Sequence, residues 1–359
     1  MTPGLDEIRR APKVALHDHL DGGLRPSTVA EIAAAIGHEI PAGSSLLEPH
    51  LIGTHSGSLE AYLESFNHTL AVMQRPEDLV RVAQEAVSDL AVDGVVYAEL
   101  RWAPEQHQQA GLSLAAAVEA VHAGIRAGQA EAHTAGLPIV VKQILTARRE
   151  TQRSLEIARL AVAERDRGVV GFDIAGAEHG YPAADHLAAF DYLADARFPV
   201  TAHAGEAYGL VSIEQALNVG RARRIGHGVR IVDDIESSGT EPRLGSLAQR
   251  LRDASICFEL CPTSNLNTGA LGPGATIADH PFALLDDCGF NVTVNCDNRL
   301  MSRTTLSREF ELLASTFGYT FADIERFTVN AIEAAFCDSE EAERLLTEVI
   351  SPGFAQLSA

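Results

Sequence analysis

Short apolar segments alternate with helical stretches along almost the whole chain, and this alternation constrains the fold more than any other feature. Eight segments rich in Val, Ile, Phe and Ala read as buried strands, and Ala/Leu/Glu/Arg-rich stretches separate them. Eight strands alternating with helices is the number that a closed (β/α)8 barrel requires. The predicted strands are residues 13–19, 95–101, 138–145, 169–174, 198–203, 224–227, 255–260 and 290–297.

We therefore predict an α/β fold in which residues 1–359 form a single TIM-type (β/α)8 barrel domain. A barrel routinely uses this length as one domain, and no linker, repeat or low-complexity segment divides the chain. Extra helices are expected after the first strand and at the C-terminus. The predicted helices are residues 26–36, 59–66, 77–93, 112–135, 151–167, 185–195, 212–221, 243–253, 306–316 and 322–336.

The composition argues against several classes of protein. A net charge of −21, a pI of about 5.0 and the lack of any Lys/Arg run disfavour a nucleic-acid partner. No window approaches 18 uninterrupted apolar residues, and the N-terminus lacks the regions of a signal peptide. The five cysteines are odd in number and form no CxxC pair, so we expect no disulfide framework. We predict a cytoplasmic protein with no membrane association, and leave its oligomeric state open.

Several predicted strands end in side chains that can bind a metal ion or transfer a proton. In a parallel barrel these ends meet at one rim, and side chains two apart on a strand share a face. Three imidazoles and one carboxylate suit Zn²⁺ and imply a five-coordinate site once water is added. The side chains are His17 and His19 at the first strand, His203 and then Glu206 at the fifth, His227 at the sixth and Asp297 at the eighth.

Each of these groups also has an ordinary structural explanation when taken singly. Two histidines two residues apart, or a His and a Glu after a strand, are often only hydrogen-bonded or solvated. Their joint occurrence at four strand ends is what favours a metal site. The remaining histidines fall in helices or polar loops, where we expect them to be solvated; among them are His38, His50, His55, His68, His107, His122 and His133.

Six motifs, in order along the chain, resemble those of the adenosine deaminase family within the amidohydrolase superfamily. The resemblance covers nearly the whole chain, from about residue 12 to residue 336, and implies the barrel fold independently of the alternation. The motifs are HDHLDG at residues 17–22, FDIAG at 172–176, HAGE at 203–206, RIGHG at 224–228, LCPTSN at 260–265 and NCDN at 295–298.

This resemblance implies a reaction and a role for each residue at the strand ends. One Zn²⁺ per chain would be held by His17, His19, His203 and Asp297, and would lower the pKa of a bound water towards 7. The resulting hydroxide would attack C6 of adenosine or 2′-deoxyadenosine while a protonated Glu206 donates to N1, giving inosine and ammonia in purine salvage. His227 would take or orient the water proton; its alternative role is that of a further nitrogen ligand.

The resemblance also implies contacts to the substrate, a purine nucleoside. The backbone N–H of Gly176 would reach N3, and Asp21 would hold the ribose hydroxyls, although an Asp-Gly pair is also a common turn. His19 lies near enough to touch substrate as well. Asn298 stands where the family usually has a second Asp against N7, and its amide donates at any pH. A lid helix, or ordinary packing, is expected of the apolar stripe Leu59, Tyr62, Leu63 and Phe66.

Other functions stay open at this point. The Asn298 change leaves room for a deaminase of adenine or of a modified adenosine, although Asp21 favours a nucleoside. A nucleotide is disfavoured because no Arg/Lys cluster lies near the motifs. A two-metal amidohydrolase would need a lysine after the fourth strand, whereas the chain has only Lys13 and Lys142. A non-catalytic zinc or nucleoside-binding barrel would not need Glu206 beside the ligands.

Overall fold

Eight parallel strands surround a common axis in the computed structural model, which describes residues 2–40, 53–54, 56–237 and 241–357. They form two four-stranded sheets, and two isolated bridges, Phe172–Val200 and Asp18–Asp297, close these sheets into the predicted barrel. A two-stranded antiparallel hairpin lies outside the barrel. The strands are β1 Lys13–His19, β2 Val95–Trp102, β3 Val140–Arg148, β4 Val169–Ala175, β5 Thr201–Ala204, β6 Arg224–His227, β7 Ile235–Glu236, β8 Arg243–Leu244, β9 Cys257–Leu260 and β10 Asn291–Val294.

The barrel order is β1-β2-β3-β4 followed by β5-β6-β9-β10, so neighbouring strands are parallel and their carboxyl ends share one rim. All eight predicted barrel strands are present, with different ends. β3 continues to Arg148 because Thr146 to Arg148 pair with the end of β4. β10 stops at Val294 because the next side chain takes over the pairing: Asn295 Oδ1 accepts the backbone N–H groups of Leu16 and His17, both at 3.0 Å.

The helices cover the outside of the barrel, with the expected additions after β1 and at the C-terminus. A π-helix, Leu346–Ile350, joins the last two helices. The α-helices are α1 Leu5–Arg10, α2 Pro26–Ile36, α3 Leu59–Glu64, α4 Asn67–Ala71, α5 Pro76–Val92, α6 Leu114–Thr134, α7 Ser154–Ala163, α8 Leu187–Asp195, α9 Leu210–Asn218, α10 Ser246–Asp253, α11 Pro262–Asn267, α12 Phe282–Asp287, α13 Leu306–Phe317, α14 Phe321–Ala334, α15 Ser339–Leu345 and α16 Ser351–Leu357.

Several predicted helices have different ends in the structure, and for two of them the hydrogen bonds show the cause. The helix predicted over 59–66 ends at Glu64, because the Ser65 hydroxyl donates to the Tyr62 carbonyl at 2.7 Å and competes with continued helix hydrogen bonding. The helix predicted over 243–253 begins only at Ser246, because Arg243 and Leu244 pair with β7. In the part of the chain that the structure describes, no helix has the length and apolar character needed to cross a membrane.

Candidate active site

The predicted metal-binding side chains lie together at one rim of the barrel. They come from the carboxyl ends of β1, β5 and β6 and from Asp297, the bridge residue after β10. One ligand atom each from His17, His203, His227 and Asp297 lies within 4.8 Å of the others. His19 adjoins this group, with its Nε2 3.3 Å from Asp297 Oδ1 and 3.2 Å from His203 Nε2. Residues 280 positions apart in sequence therefore share one site, as the strand-end pattern predicts.

Two of these residues adopt a backbone conformation that side chains other than glycine rarely adopt. His227 has φ of 62° and Asp297 has φ of 61°. Left-handed backbone at a residue with a Cβ costs on the order of 1–3 kcal/mol and is retained mainly at functional sites. The turns after β6 and β10 thus direct the side chains of His227 and Asp297 toward the rim. The packing of the rest of the barrel offsets the free-energy cost of this backbone conformation.

The hydrogen bonds of His17 and His203 leave each ring with a nitrogen suited to a metal. His17 Nδ1 donates to Glu259 Oε2 at 2.9 Å, and its buried Nε2 has no hydrogen-bond partner among the described residues. His203 Nδ1 donates to Asp173 Oδ1 at 3.1 Å. Both rings therefore present a lone pair at Nε2, the arrangement of a carboxylate–histidine–zinc unit. This donor set fits a zinc ion.

A chain of hydrogen bonds sets the tautomer of His227 differently. The Phe282 N–H donates to His280 Nδ1 at 3.1 Å, so His280 Nε2 carries the proton that it donates to Asn265 Oδ1 at 3.2 Å. The Asn265 amide nitrogen must then donate to His227 Nδ1, at 2.9 Å. His227 consequently holds its proton on Nε2. A protonated Nε2 cannot be a metal ligand, so this network favours a hydrogen-bonding role for His227.

Glu206 lies beside His227 in a nearly dry environment. Its Oε2 is 3.5 Å from His227 Nε2, and its Oε1 accepts the Thr268 hydroxyl at 2.9 Å. Burial, reinforced by the charge of Asp297, raises the pKa of Glu206 well above its ordinary value. The carboxyl can therefore hold a proton at neutral pH, which a general acid requires.

Glu178, which the sequence reasoning missed, holds the loop that carries Glu206. Its carboxylate accepts four consecutive backbone N–H groups: Oε1 binds Gly205 at 2.6 Å, and Oε2 binds Glu206, Ala207 and Tyr208 at 3.1, 2.7 and 2.9 Å. Glu178 follows β4 just beyond Gly176, so the strand-end reasoning applied to the other residues could have singled it out. The neighbouring Arg149 donates to the carbonyl of His203 and fixes the same segment from the other side.

A cavity of about 390 Å³ opens from the metal-binding cluster and is lined by every substrate-contact residue expected from the sequence. Tyr62 is buried and its hydroxyl lies 2.9 Å from Ser302 Oγ, so α3 packs directly over the cavity. Asp21 Oδ1 and Asn298 Oδ1 are buried without a hydrogen-bond partner in the described part of the chain. The expected contact residues that line the cavity are His19, Asp21, Tyr62, Phe66, Gly176 and Asn298.

The environment of Gly176 permits no side chain. Its φ is 106°, and a Cβ there would lie 2.3 Å from Glu150 Oε2. A glycine is therefore required, and its backbone remains open to a ligand in the cavity. Burial raises the pKa of Asp21 to about 7, and the positive charge of Arg148 partly opposes that rise.

The expectation that the remaining histidines are solvated is wrong for His186 and His280, which are buried, and for His107. This ring is buried against Trp102, with centroids 5.4 Å apart, and Nδ1 donates to the Met73 carbonyl at 2.9 Å. Burial lowers its pKa to about 4. The short 3-10 helix at Pro104–His107 follows β2, and the polar sequence around it gave no sign that His107 would be buried.

His50 and His55 lie outside the described residues. His38 and His68 are half-buried and contact each other, His122 is half-buried, and His133 is exposed.

A closed parallel barrel that gathers imidazoles and a carboxylate at one rim defines the class of metal-dependent barrel hydrolases. Within this class, a sequence model described as adenosine deaminase matches residues 12–352. The chain belongs to the adenosine deaminase family, which confirms the resemblance drawn from the six motifs.

Similar proteins agree with this assignment. An adenosine deaminase from Mycobacterium marinum is 54% identical over 359 residues, covering 99% of this chain and 98% of that protein. An amidohydrolase from Burkholderia ambifaria, solved with bound Zn, is 27% identical with a TM-score of 0.85, over 99% of this chain and 93% of that one. Arabidopsis ADAL, solved in complex with IMP, is 26% identical with a TM-score of 0.84, and the match covers 97% of this chain and 98% of that one.

Proposed function

We propose that this protein is a zinc-dependent hydrolase that converts adenosine, and 2′-deoxyadenosine, to inosine and ammonia in purine salvage. The observation that carries the residue assignments is the buried Glu206 carboxyl, 3.5 Å from His227 and next to the cluster of imidazoles and Asp297. A site that only stored zinc or bound a nucleoside would have no use for a protonated carboxyl at this position. We assign the zinc ligands as His17, His19, His203 and Asp297.

The side chains around the cluster divide the proton transfers between them. Zinc, when bound, makes a water acidic enough to serve as the nucleophile at neutral pH. Asp297 Oδ2 accepts the Ser264 hydroxyl at 2.6 Å, so Oδ1, 3.3 Å from His17 Nε2, is the oxygen that would bind the metal and accept a hydrogen bond from that water. The Nε2–H of His227 stabilises the negative charge on the attacking oxygen. Electrons displaced from C6 move to N1, where Glu206 delivers its proton. The hydroxyl proton on C6 then passes to the amino group, so the C–N bond breaks, ammonia leaves and the 6-oxo group forms, while the proton first lost by the water restores Glu206.

Recognition of the purine nucleoside uses the other end of the cavity. The Gly176 N–H is assigned to N3, Asp21 to the ribose hydroxyls and the Asn298 amide to N7. The unpartnered buried Asp21 Oδ1 supports the ribose assignment, because a buried polar atom is costly unless a ligand satisfies it and a ribose hydroxyl can donate to this oxygen. Tyr62 and Phe66, whose ring centroids are 6.1 Å apart, would cover the base. The cytoplasmic location and the single-domain organisation stay predictions.

The test is turnover by Glu206→Gln, in which the amide keeps the shape of the side chain but has no acidic proton to deliver. We expect the fall in ultraviolet absorbance on conversion of adenosine to inosine to slow by roughly 100-fold to 10,000-fold, with zinc content unchanged. Glu60→Gln, an exposed carboxylate at the rim of the same cavity, is the matched control and should keep its rate. Unchanged turnover in Glu206→Gln would refute the acid assignment, and faster turnover of adenine or N6-methyladenosine than of adenosine would replace the substrate.

A further inference from the structure

The mouth of the substrate cavity contains an arginine that is already engaged. Arg148 ends β3, and its guanidinium makes a two-point contact with Glu150: Nη2 lies 2.9 Å from Oε1 and Nε lies 3.2 Å from Oε2. Glu150 also accepts the backbone N–H of Ala177 at 2.8 Å. Both side chains remain partly exposed, 33% for Arg148 and 20% for Glu150, and both line the cavity. The planar fork of Arg148, which could bind a phosphate, is therefore occupied by a carboxylate.

Charge around the cavity is strongly one-sided. Among the described residues that line it, Arg148 is the only arginine or lysine. Glu60 and Glu64 on α3 are exposed at the rim and have no arginine partner among the ion pairs of the described residues. A 5′-phosphate carries a charge of about −1.5 to −2 at pH 7 and would enter this acidic surface without a free cation. The carboxylates that line the cavity are Asp21, Glu60, Glu64, Glu150, Glu206 and Asp297.

Arg148 also lies on the side of the cavity where a ribose would be held. Arg148 lines the same cavity as Asp21, the residue assigned to the ribose hydroxyls, and Glu150 packs against Gly176, the residue assigned to N3. A phosphate on the 5′-oxygen of a bound nucleoside would thus approach the Arg148–Glu150 pair. Since Arabidopsis ADAL forms a complex with IMP, rejection of a nucleotide by this chain would have to come from particular side chains.

We propose that Glu150 selects nucleosides over nucleoside 5′-monophosphates, by holding Arg148 in a bidentate pair and adding its own negative charge where the phosphate would lie. This inference rests on the proposed function. Glu150 acts on specificity and takes no part in the proton transfers. Breaking the pair while keeping the shape of Glu150 should free the guanidinium for a phosphate.

The variant that tests this is Glu150→Gln. The amide oxygen can still accept from Ala177 and from Arg148 Nη2, but the amide nitrogen faces Arg148 Nε, donor against donor, so the pair opens. We expect the ratio of kcat/KM for AMP to kcat/KM for adenosine to rise roughly 10-fold to 100-fold, the range of a charge-assisted hydrogen bond to phosphate. The ratio is the readout because Glu150 also touches Gly176 and the rate with adenosine will change.

Two further variants separate pairing from general charge. Glu60→Gln removes one rim charge without touching the pair, and its ratio should stay within about threefold of wild type because exposed charges are screened. Glu150→Gln combined with Arg148→Met should lose the gain, since no guanidinium remains. An unchanged ratio in Glu150→Gln, an equal gain in Glu60→Gln, or a gain that persists without Arg148 would each overturn the proposal.

A comparison in the wild-type protein needs no variant. Adenosine with a neutral 5′-O-methyl group should be deaminated while AMP is not; equal rejection of both would mean that size excludes the nucleotide, and Glu150 would lose its role. Calorimetric binding of inosine and IMP to the zinc-loaded wild type and Glu150→Gln gives the same discrimination without turnover. A wild type that fails to deaminate adenosine would refute the proposed function, whereas a Glu150→Gln protein that does not gain affinity for IMP would refute only this inference.

Discussion

Replacing Glu178 by Gln should impair catalysis although this residue touches neither substrate nor metal. The carboxylate accepts four N–H groups from the loop that carries Glu206. An amide offers one accepting oxygen, so at best three of the bonds remain, now to a neutral acceptor, and the amide nitrogen opposes the fourth N–H. Hydrogen bonds to a charged acceptor contribute about 1.5–3 kcal/mol against about 1 kcal/mol for neutral ones, so replacing four of the first kind by three of the second should cost the loop at least about 3 kcal/mol.

If that loss falls on the position of Glu206, it corresponds to a decrease in kcat of at least roughly 100-fold. The assay is steady-state deamination of adenosine, with zinc content and thermal unfolding measured on the same preparation. Glu164→Gln is the matched control, because Glu164 is also buried and hydrogen-bonded, to Arg167, but lies far from the cavity. A folded, zinc-loaded Glu178→Gln enzyme whose kcat is within threefold of wild type would show that the loop keeps Glu206 in place without the clamp.

Two other residues give separate predictions. Asn265→Asp should place a carboxylate against His227 Nδ1, move the ring proton to that nitrogen and remove the Nε2–H, so kcat should fall by at least about 100-fold; a rate near wild type would refute the tautomer assignment. His107 has its pKa lowered to about 4, so it stays neutral in the folded protein while the unfolded chain takes up a proton near pH 6.5. Stability is therefore lost as pH falls from 6.5 to 4, by about 3 kcal/mol for this group. His107→Asn, which keeps a donor for the Met73 carbonyl, should flatten that dependence in urea unfolding at pH 7 and 4.5, and equal slopes would contradict it.

The strand ends were predictable from the sequence because a parallel barrel converts chain order into position. Once eight strands alternate with helices, side chains at their carboxyl ends must converge, so His17, His203 and Asp297 could be grouped before any coordinates. The end of each element was harder to predict, because it depends on competing side-chain hydrogen bonds. Ser65 ends α3, and Asn295 replaces the regular pairing of β10, and neither effect leaves a periodic signal.

The partners of the site residues could not be predicted, since their contacts cross the barrel. Glu259 binds His17 across 242 positions, and Asn265 sets His227 across 38. One signal was present: Glu259 interrupts an otherwise apolar strand, and a carboxylate in the middle of a buried strand needs a cation or a donor. Glu178 offered a similar signal just after β4. Acidic residues in or just after apolar strands therefore indicate the partners of site residues, as histidines at strand ends indicate the metal ligands.

The charges inside the barrel make sense only in relation to the metal site. Glu259 is fully buried, yet it binds Arg101 at 2.7 Å and Arg224 at 2.6 Å in addition to His17. Buried ion pairs of this kind add little net stability, because desolvation offsets most of their attraction, and apolar residues of similar volume would support the barrel as well. What apolar residues could not do is accept the Nδ1–H of His17 and so keep its Nε2 lone pair directed at the zinc. The two arginines keep Glu259 ionised for that purpose, since their charges hold its pKa well below its ordinary value despite burial, which alone would raise it. The interior network therefore serves to fix the tautomer of His17. The free energy spent on desolvating the buried charges supports the chemistry at the rim and not the stability of the barrel.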